Sequence, residues 1–190
     1  MEQTVLEHTD TDTRLAQRLH QLRMQRFWSL EELATKSGVS RATLSRIENN
    51  EVSPTASVLG KLCAAFELTM SRLLDNVESD LPALVPRSAQ PVWIDPETGF
   101  RRRSISPPSP DFECEFLQCE LPAGAQIDYP LPPRQGLEHH LYLESGALEL
   151  RVDGSTHRLA EGDCLRYRLH GASSFRVLNR RQAQYFLVIR

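Results

Sequence analysis

Seven prolines, Pro82, Pro86, Pro91, Pro96, Pro107, Pro108 and Pro110, fall between Glu78 and Pro110. Proline fixes φ and donates no backbone hydrogen bond, so this stretch excludes a helix and a central strand and leaves linker and edge strands. It separates two segments of different periodicity. From Arg14 to Leu74 the apolar residues recur at helical spacing, with breaks at Gly, Ser and Asn, which predicts a bundle of about five short helices. After Asp111 come short runs of period two, such as "FECEFLQCEL", "HLYLES", "CLRYRL" and "AQYFLVIR", divided by turns such as "PAGA", "VDGS" and "AEGD". Even spacing of such runs predicts an antiparallel sandwich or barrel. The expected organisation is a helical domain over residues 10–76, linker and edge strands over 77–110, and an all-β domain over 111–190. Within the middle stretch, alternation spreads the arginines of "FRRRSIS", Phe100 to Ser106, over both faces of an edge strand. They are read as a solvated edge that discourages aggregation rather than as a phosphate site.

The net charge is only -3, so composition alone does not announce nucleic acid. Between Asp12 and Asn76, however, nine Lys and Arg stand against seven Asp and Glu, while the remainder is acidic, so the helical segment is the one that could favour a polyanion. No apolar run approaches the roughly 18 residues of a membrane span, and the polar start "MEQTVLEHTDTDT" is no signal peptide, which places the chain in the cytoplasm, away from membranes. Cys63, Cys114, Cys119 and Cys164 form no CxxC pair and are expected to be buried small hydrophobes.

The segment "SLEELATKSGVSRATLSRIENNEVSP" carries its own punctuation. Ser29 with Glu32 makes a capping box, and Leu30, Leu33 and Ala34 then share one face. Gly38 suits the left-handed turn that ends this helix, Val39 can fill the gap between helices, and Ser40 can cap the next one. In that second helix Leu44 and Ile47 form the buried stripe, which turns Arg41, Ala42, Ser45 and Arg46 outward. Such a face suits a major groove, where Arg forks to guanine, Ser bonds a base or phosphate, and Ala meets a thymine methyl.

Together with "LxxLRxxR" and "SPTxSVLxKLxxAF", in order and spacing, these residues resemble the Cro/C1-type (XRE) helix-turn-helix. The resemblance runs from about Arg14 to Leu74 and implies binding to double-stranded DNA. It makes the helix starting at Ser40 the recognition helix, with Ser40, Arg41, Ala42, Thr43, Ser45, Arg46 and Asn49 as the DNA-binding set and Asn49 near phosphate. It also implies a buried ion pair between Arg23 and Glu48. Two positions depart from the family pattern, since Phe27 and Asn50 stand where glycine is usual.

From about Phe112 onward the chain resembles the cupin fold, a small jelly-roll barrel, with Gly146 and Gly162-Asp163 on the landmark positions. The family's metal ligands do not carry over. Counting from the glycines, the metal-binding Glu falls on His139, the paired histidines near Pro133 and Gln135, and the last histidine near Ser173. One imidazole does not make a stable site, so no metal, cofactor or catalytic residue is expected. His140, the next residue along a strand, should point the other way. A ligand pocket is expected instead, with His139, Arg134, Gln135, Tyr167 and Ser173 as its polar groups and Leu141, Leu143, Leu148, Leu150 and Leu165 on the inner wall.

The combination resembles bacterial regulators in which the barrel senses a small molecule or forms the dimer. The expected function is a sequence-specific transcriptional regulator, a repressor, bound as a homodimer to a pseudo-palindromic operator and answering to a small-molecule effector. Two rival readings stay open at this level: a metal-dependent cupin enzyme fused to a DNA-binding domain, and an antitoxin-like DNA-binding protein.

Overall fold

A computed structural model describes the backbone of residues 2–74, 83–110 and 112–190 and the side chains of these from residue 11 onward. The domain boundary expected at residues 76 and 77, and Asp111, lie outside the described residues. Five helices come first: α1 (Glu2–Gln25), α2 (Leu30–Ser37), α3 (Arg41–Glu48), α4 (Ala56–Phe66) and α5 (Met70–Leu74). The first is longer than expected, because no Gly or Pro interrupts Glu2 to Gln25. Leu15, Leu19, Leu33, Leu44, Leu59, Leu62 and Phe66 are fully buried at the centre of the bundle.

The local signals act as read. The Ser29 hydroxyl accepts from the Glu32 amide at 3.1 Å, and the Glu32 carboxylate accepts from the Ser29 amide at 2.7 Å. Gly38 takes the left-handed conformation at φ 68°, Val39 is buried behind it, and the Ser40 hydroxyl accepts from the Thr43 amide to start α3. Phe27 also lies at φ 57° and is 93 % exposed, so the turn that usually takes glycine carries a solvent-facing ring. Its neighbour Trp28 stacks on Phe66 with centroids 5.4 Å apart and carries the Lys36 ammonium over its ring, 4.9 Å from the centroid, fixing the corner.

Ten strands follow: β1 (Val92–Ile94), β2 (Arg101–Ser106), β3 (Glu115–Leu121), β4 (Gln126–Tyr129), β5 (Leu137–Ser145), β6 (Leu148–Val152), β7 (Ser155–Leu159), β8 (Cys164–Leu169), β9 (Ser173–Val177) and β10 (Ala183–Ile189). They form a six-stranded sheet in the order β1-β2-β3-β10-β5-β8 and a four-stranded sheet in the order β4-β9-β6-β7. The eight strands β3 to β10 thus pass back and forth between two antiparallel sheets, with only β6 and β7 consecutive in one sheet, as in a jelly roll. Gly146 shows why its position is fixed: a side chain there would place Cβ 2.6 Å from the Gln182 carbonyl oxygen, and φ is 93°.

Two expectations are corrected here. β2 is not an edge, because β1 pairs outside it, with Trp93 opposite Arg102. Arg102 and Arg103 are therefore buried, at 6 % and 8 % exposure, instead of solvated. Among the cysteines, Cys63 and Cys119 are buried, but Cys164 lies on the solvent face of β8 and Cys114 is exposed just before β3.

The helices close one side of the barrel. Gly60 of α4 lies so near Tyr129 of β4 that an added Cβ would sit 2.4 Å from the ring. Around this contact the Thr69 hydroxyl donates to the Glu115 carboxylate at 2.6 Å, the Ala56 amide to Asp95 at 3.2 Å, and Arg102 to the Ser71 hydroxyl at 2.7 Å. Replacing Gly60 by Ala should therefore destabilise the chain by about 1 to 3 kcal/mol, although Ala is the better helix former by roughly 1 kcal/mol. Urea denaturation checks this, and in a double-mutant cycle Gly60→Ala should cost less on a Tyr129→Ala background, where the clashing ring is gone.

Candidate DNA-reading helix and barrel cavity

α3 is held by one face and open on the other. Leu44 and Ile47 are 2 % exposed each, whereas Arg41, Ala42, Arg46 and Asn49 are exposed and Thr43 and Ser45 half-buried. The two arginines are engaged only with neighbouring surface acids, Arg41 with Glu31 at 3.5 Å and Arg46 with Glu51 at 3.7 Å. Exposed pairs of this kind are worth about 0 to 1 kcal/mol, so a stronger anionic or guanine partner can take either guanidinium over. The Ser40 hydroxyl caps the helix by accepting from the Thr43 amide at 3.1 Å and also lies 2.8 Å from the Thr43 hydroxyl. The Asn49 amide nitrogen donates to Glu51 at 3.3 Å.

The scaffold behind this helix is a buried ion pair. Arg23 of α1 donates from Nε and Nη2 to the two Glu48 carboxylate oxygens, both at 2.7 Å. Its Nη1 donates to the Trp28 carbonyl at 2.9 Å, and His20 meets Glu48 at 2.9 Å. Burial pushes the Glu48 carboxyl up, but the hydrogen bonds and charges of Arg23 and His20 outweigh it and hold it below the ordinary range. Arg23 thus fastens α1, the corner at Trp28 and α3 together.

Inside the barrel lies a cavity of about 90 Å³. His139, Ser173, Phe175 and Tyr185 line it from the sheets, and Gly60, Cys63 and Met70 line it from the helices. His139 is 7 % exposed, and its Nδ1 lies 3.0 Å from the Tyr167 hydroxyl. Its Nε2 is buried with no hydrogen-bond partner. Burial first, then the charges of Arg102 and His140, push the imidazole down to about 3, so it is neutral near pH 7 and offers Nε2 as donor or acceptor according to tautomer. His140 points the other way and pairs with Glu138 at 3.0 Å. Arg134 and Gln135 are exposed and do not line the cavity, whereas Pro133 does. Leu141, Leu143, Leu148 and Leu150 are fully buried and Leu165 and Tyr167 half-buried, but none of them lines this cavity; Tyr167 reaches it only through its contact with His139.

The residues do not fit a metal. Among the described residues no three His, Cys, Asp or Glu side chains gather as a ligand set. Of the positions that hold the ion in cupins, the cavity presents one imidazole, a hydroxyl and a proline.

Residues 19–73 match the helix-turn-helix family. The chain is 33 % identical over 153 residues to the HTH-type transcriptional regulator SutR of Escherichia coli K12, a match spanning 80 % of this chain and 81 % of that one. This chain is a helix-turn-helix transcriptional regulator of the XRE family. The regulator also superposes on an HTH_3 family transcriptional regulator from Vibrio cholerae with a TM-score of 0.77, over 95 % of this chain and 97 % of that one, at 22 % identity. It superposes on FeII HppE with a TM-score of 0.50, over 95 % of this chain and all of that one (100 %), at 16 % identity, a likeness of fold alone. Its β half has the strand order of a jelly roll, and no helix among its described residues is long and apolar enough to cross a membrane.

Two residues of the regulator's cavity escape a reading by sequence pattern. Gly60 sits inside a good amphipathic helix, where a lone glycine signals close approach but not to what. Arg102 lines the cavity although its run reads as a charged surface strand.

Proposed function

We propose that this regulator is a homodimeric repressor that reads a pseudo-palindromic operator with α3 and takes a small-molecule effector in its barrel, without catalysis. The observation that carries the DNA reading is the face of α3, where Arg41, Ala42 and Arg46 stand exposed on a helix fixed from behind by Arg23 and Glu48. Repression follows from occupying the operator, and the cytoplasm is where that DNA is met. Changing Arg41 or Arg46 to Ala is expected to cost about 1 to 3 kcal/mol on the specific site and to relax base preference there. Equal loss on random duplex would demote that arginine to a phosphate contact.

The effector reading rests on the barrel cavity, with His139 Nε2 and Ser173 as its polar groups. Because α4 closes this cavity through Gly60 and also packs on α2, a ligand that prefers one seating of α4 shifts the orientation of the reading helix by its differential affinity. Support for a second copy comes from the outer face of the six-stranded sheet. There Phe116 and Phe186 meet with centroids 5.6 Å apart, both half-buried, beside Val188 and a Tyr142 that is 46 % exposed. A partner sheet would cover these rings. Titration of His139→Ala with the barrel's effector, once identified by copurification, should show a weakened response and unchanged DNA affinity without effector.

A further inference from the structure

A second cavity, of about 310 Å³, lies between α1 and the β1–β2 hairpin. From α1 it is lined by Arg14, Gln17, Arg18 and Gln21, spaced so that they share one face of the helix, and from the hairpin by Trp93 and Arg102. Three buried donors there lack a hydrogen-bond partner: Arg18 Nε, Trp93 Nε1 and Arg102 Nη1. Trp93 and Arg102 are 3 % and 6 % exposed. The Arg102 side chain donates from Nη2 to the neutral Ser71 hydroxyl at 2.7 Å, and no Asp or Glu lines the cavity among the described residues. Guanidinium and indole nitrogens donate and cannot accept, so the partner they lack is an acceptor. Burying a guanidinium away from any carboxylate is costly, so that acceptor is an anion.

We propose that this cleft is a binding site for a small oxyanion, a metabolite carrying a carboxylate, phosphate or sulfate group, held by Arg18, Trp93 and Arg102. Its volume falls at the lower end of ordinary ligand pockets. The bound anion bridges the DNA-reading half and the barrel, because α1 supplies one wall and also holds α3 through Arg23. The site is separate from the barrel cavity: Arg102 borders both, but Arg18 and Trp93 border only the cleft.

Isothermal titration of the full-length protein with inorganic phosphate, sulfate and malonate, at ionic strength held constant with sodium chloride, tests this directly. At least one of the three should bind saturably at one per chain. Trp93→Phe keeps the ring and removes the indole donor, and should weaken that binding about threefold to tenfold; Arg18→Gln, on a half-buried helix position, should weaken it about tenfold or more. Arg18→Gln should keep the anion-free melting temperature and Trp93→Phe should lower it modestly through its smaller buried ring, and because neither residue lines the barrel cavity, both variants should keep the barrel effector's binding. No saturable binding of any probe up to about 20 mM would overturn the proposal, as would binding that is unchanged in both variants. Loss of the barrel response with intact anion binding would sink the barrel reading alone.

Discussion

Replacing Glu48 by Ala should lower the stability of the helical domain by about 3 to 5 kcal/mol, among the largest effects expected for a single substitution in this chain. The change leaves Arg23 charged and 8 % exposed, with both of its 2.7 Å bonds to the carboxylate gone. His20 loses its partner as well. The sign of the pH dependence follows from the depressed Glu48 carboxyl. A group whose folded value is lowered contributes stability above its unfolded value, near 4.5, and the contribution fades as pH falls through the folded value. Chemical denaturation near pH 7 and near pH 4 measures both effects. A Glu48→Ala protein that melts with the wild type would mean that the pair is solvated and α3 is held by its leucine and isoleucine alone.

The second large effect is set by His139. Its value is pushed down from 6.5 to about 3, so below pH 6.5 the unfolded chain gains a proton that the folded chain does not. Stability conferred by the neutral, buried ring is complete above pH 6.5 and is lost progressively as pH falls from there toward 3. At pH 5 the loss is roughly 2 kcal/mol relative to pH 7, from about 1.4 kcal/mol per unit. His139→Gln, which cannot take the proton, should flatten the stability profile over that window. Identical profiles for wild type and variant would show the ring to be protonated in the folded barrel, and the cavity to be wetter than its burial indicates.

The parts of this molecule that were legible in sequence are those governed by neighbours along the chain. Ser29, Glu32, Gly38 and Ser40 act within a turn of their own position, and Gly146 marks a bend between two strands that alternation had already delimited. Counting from that glycine reached His139 because strand geometry is regular between them. The same count reached Pro133 but failed at Gln135, which lies with the exposed Arg134 in the turn before β5, where Gly136 takes φ 75° and spacing no longer fixes direction. Arg102 was misread for a different reason. Alternation gives the two faces of a strand but not what packs on them, and here a three-residue strand behind prolines added an outer neighbour while α1 and α5 came down on the hairpin. The exposure of Cys164 has a similar origin, since β8 closes one edge of the six-stranded sheet and the face that Cys164 shares with Arg166 and Arg168 is left to solvent.

On the proposed function, two copies of this chain place two α3 helices in successive major grooves and read bases there. Repeated selection from a pool of randomised duplexes with the full-length protein, at a stated salt concentration, tests it most directly. The expected result is enrichment of one inverted repeat whose half-sites are centred about one helical turn apart, with base preference narrowed at the positions that Arg41→Ala or Arg46→Ala relaxes. Enrichment of a lone half-site, or of no sequence at all, would contradict it.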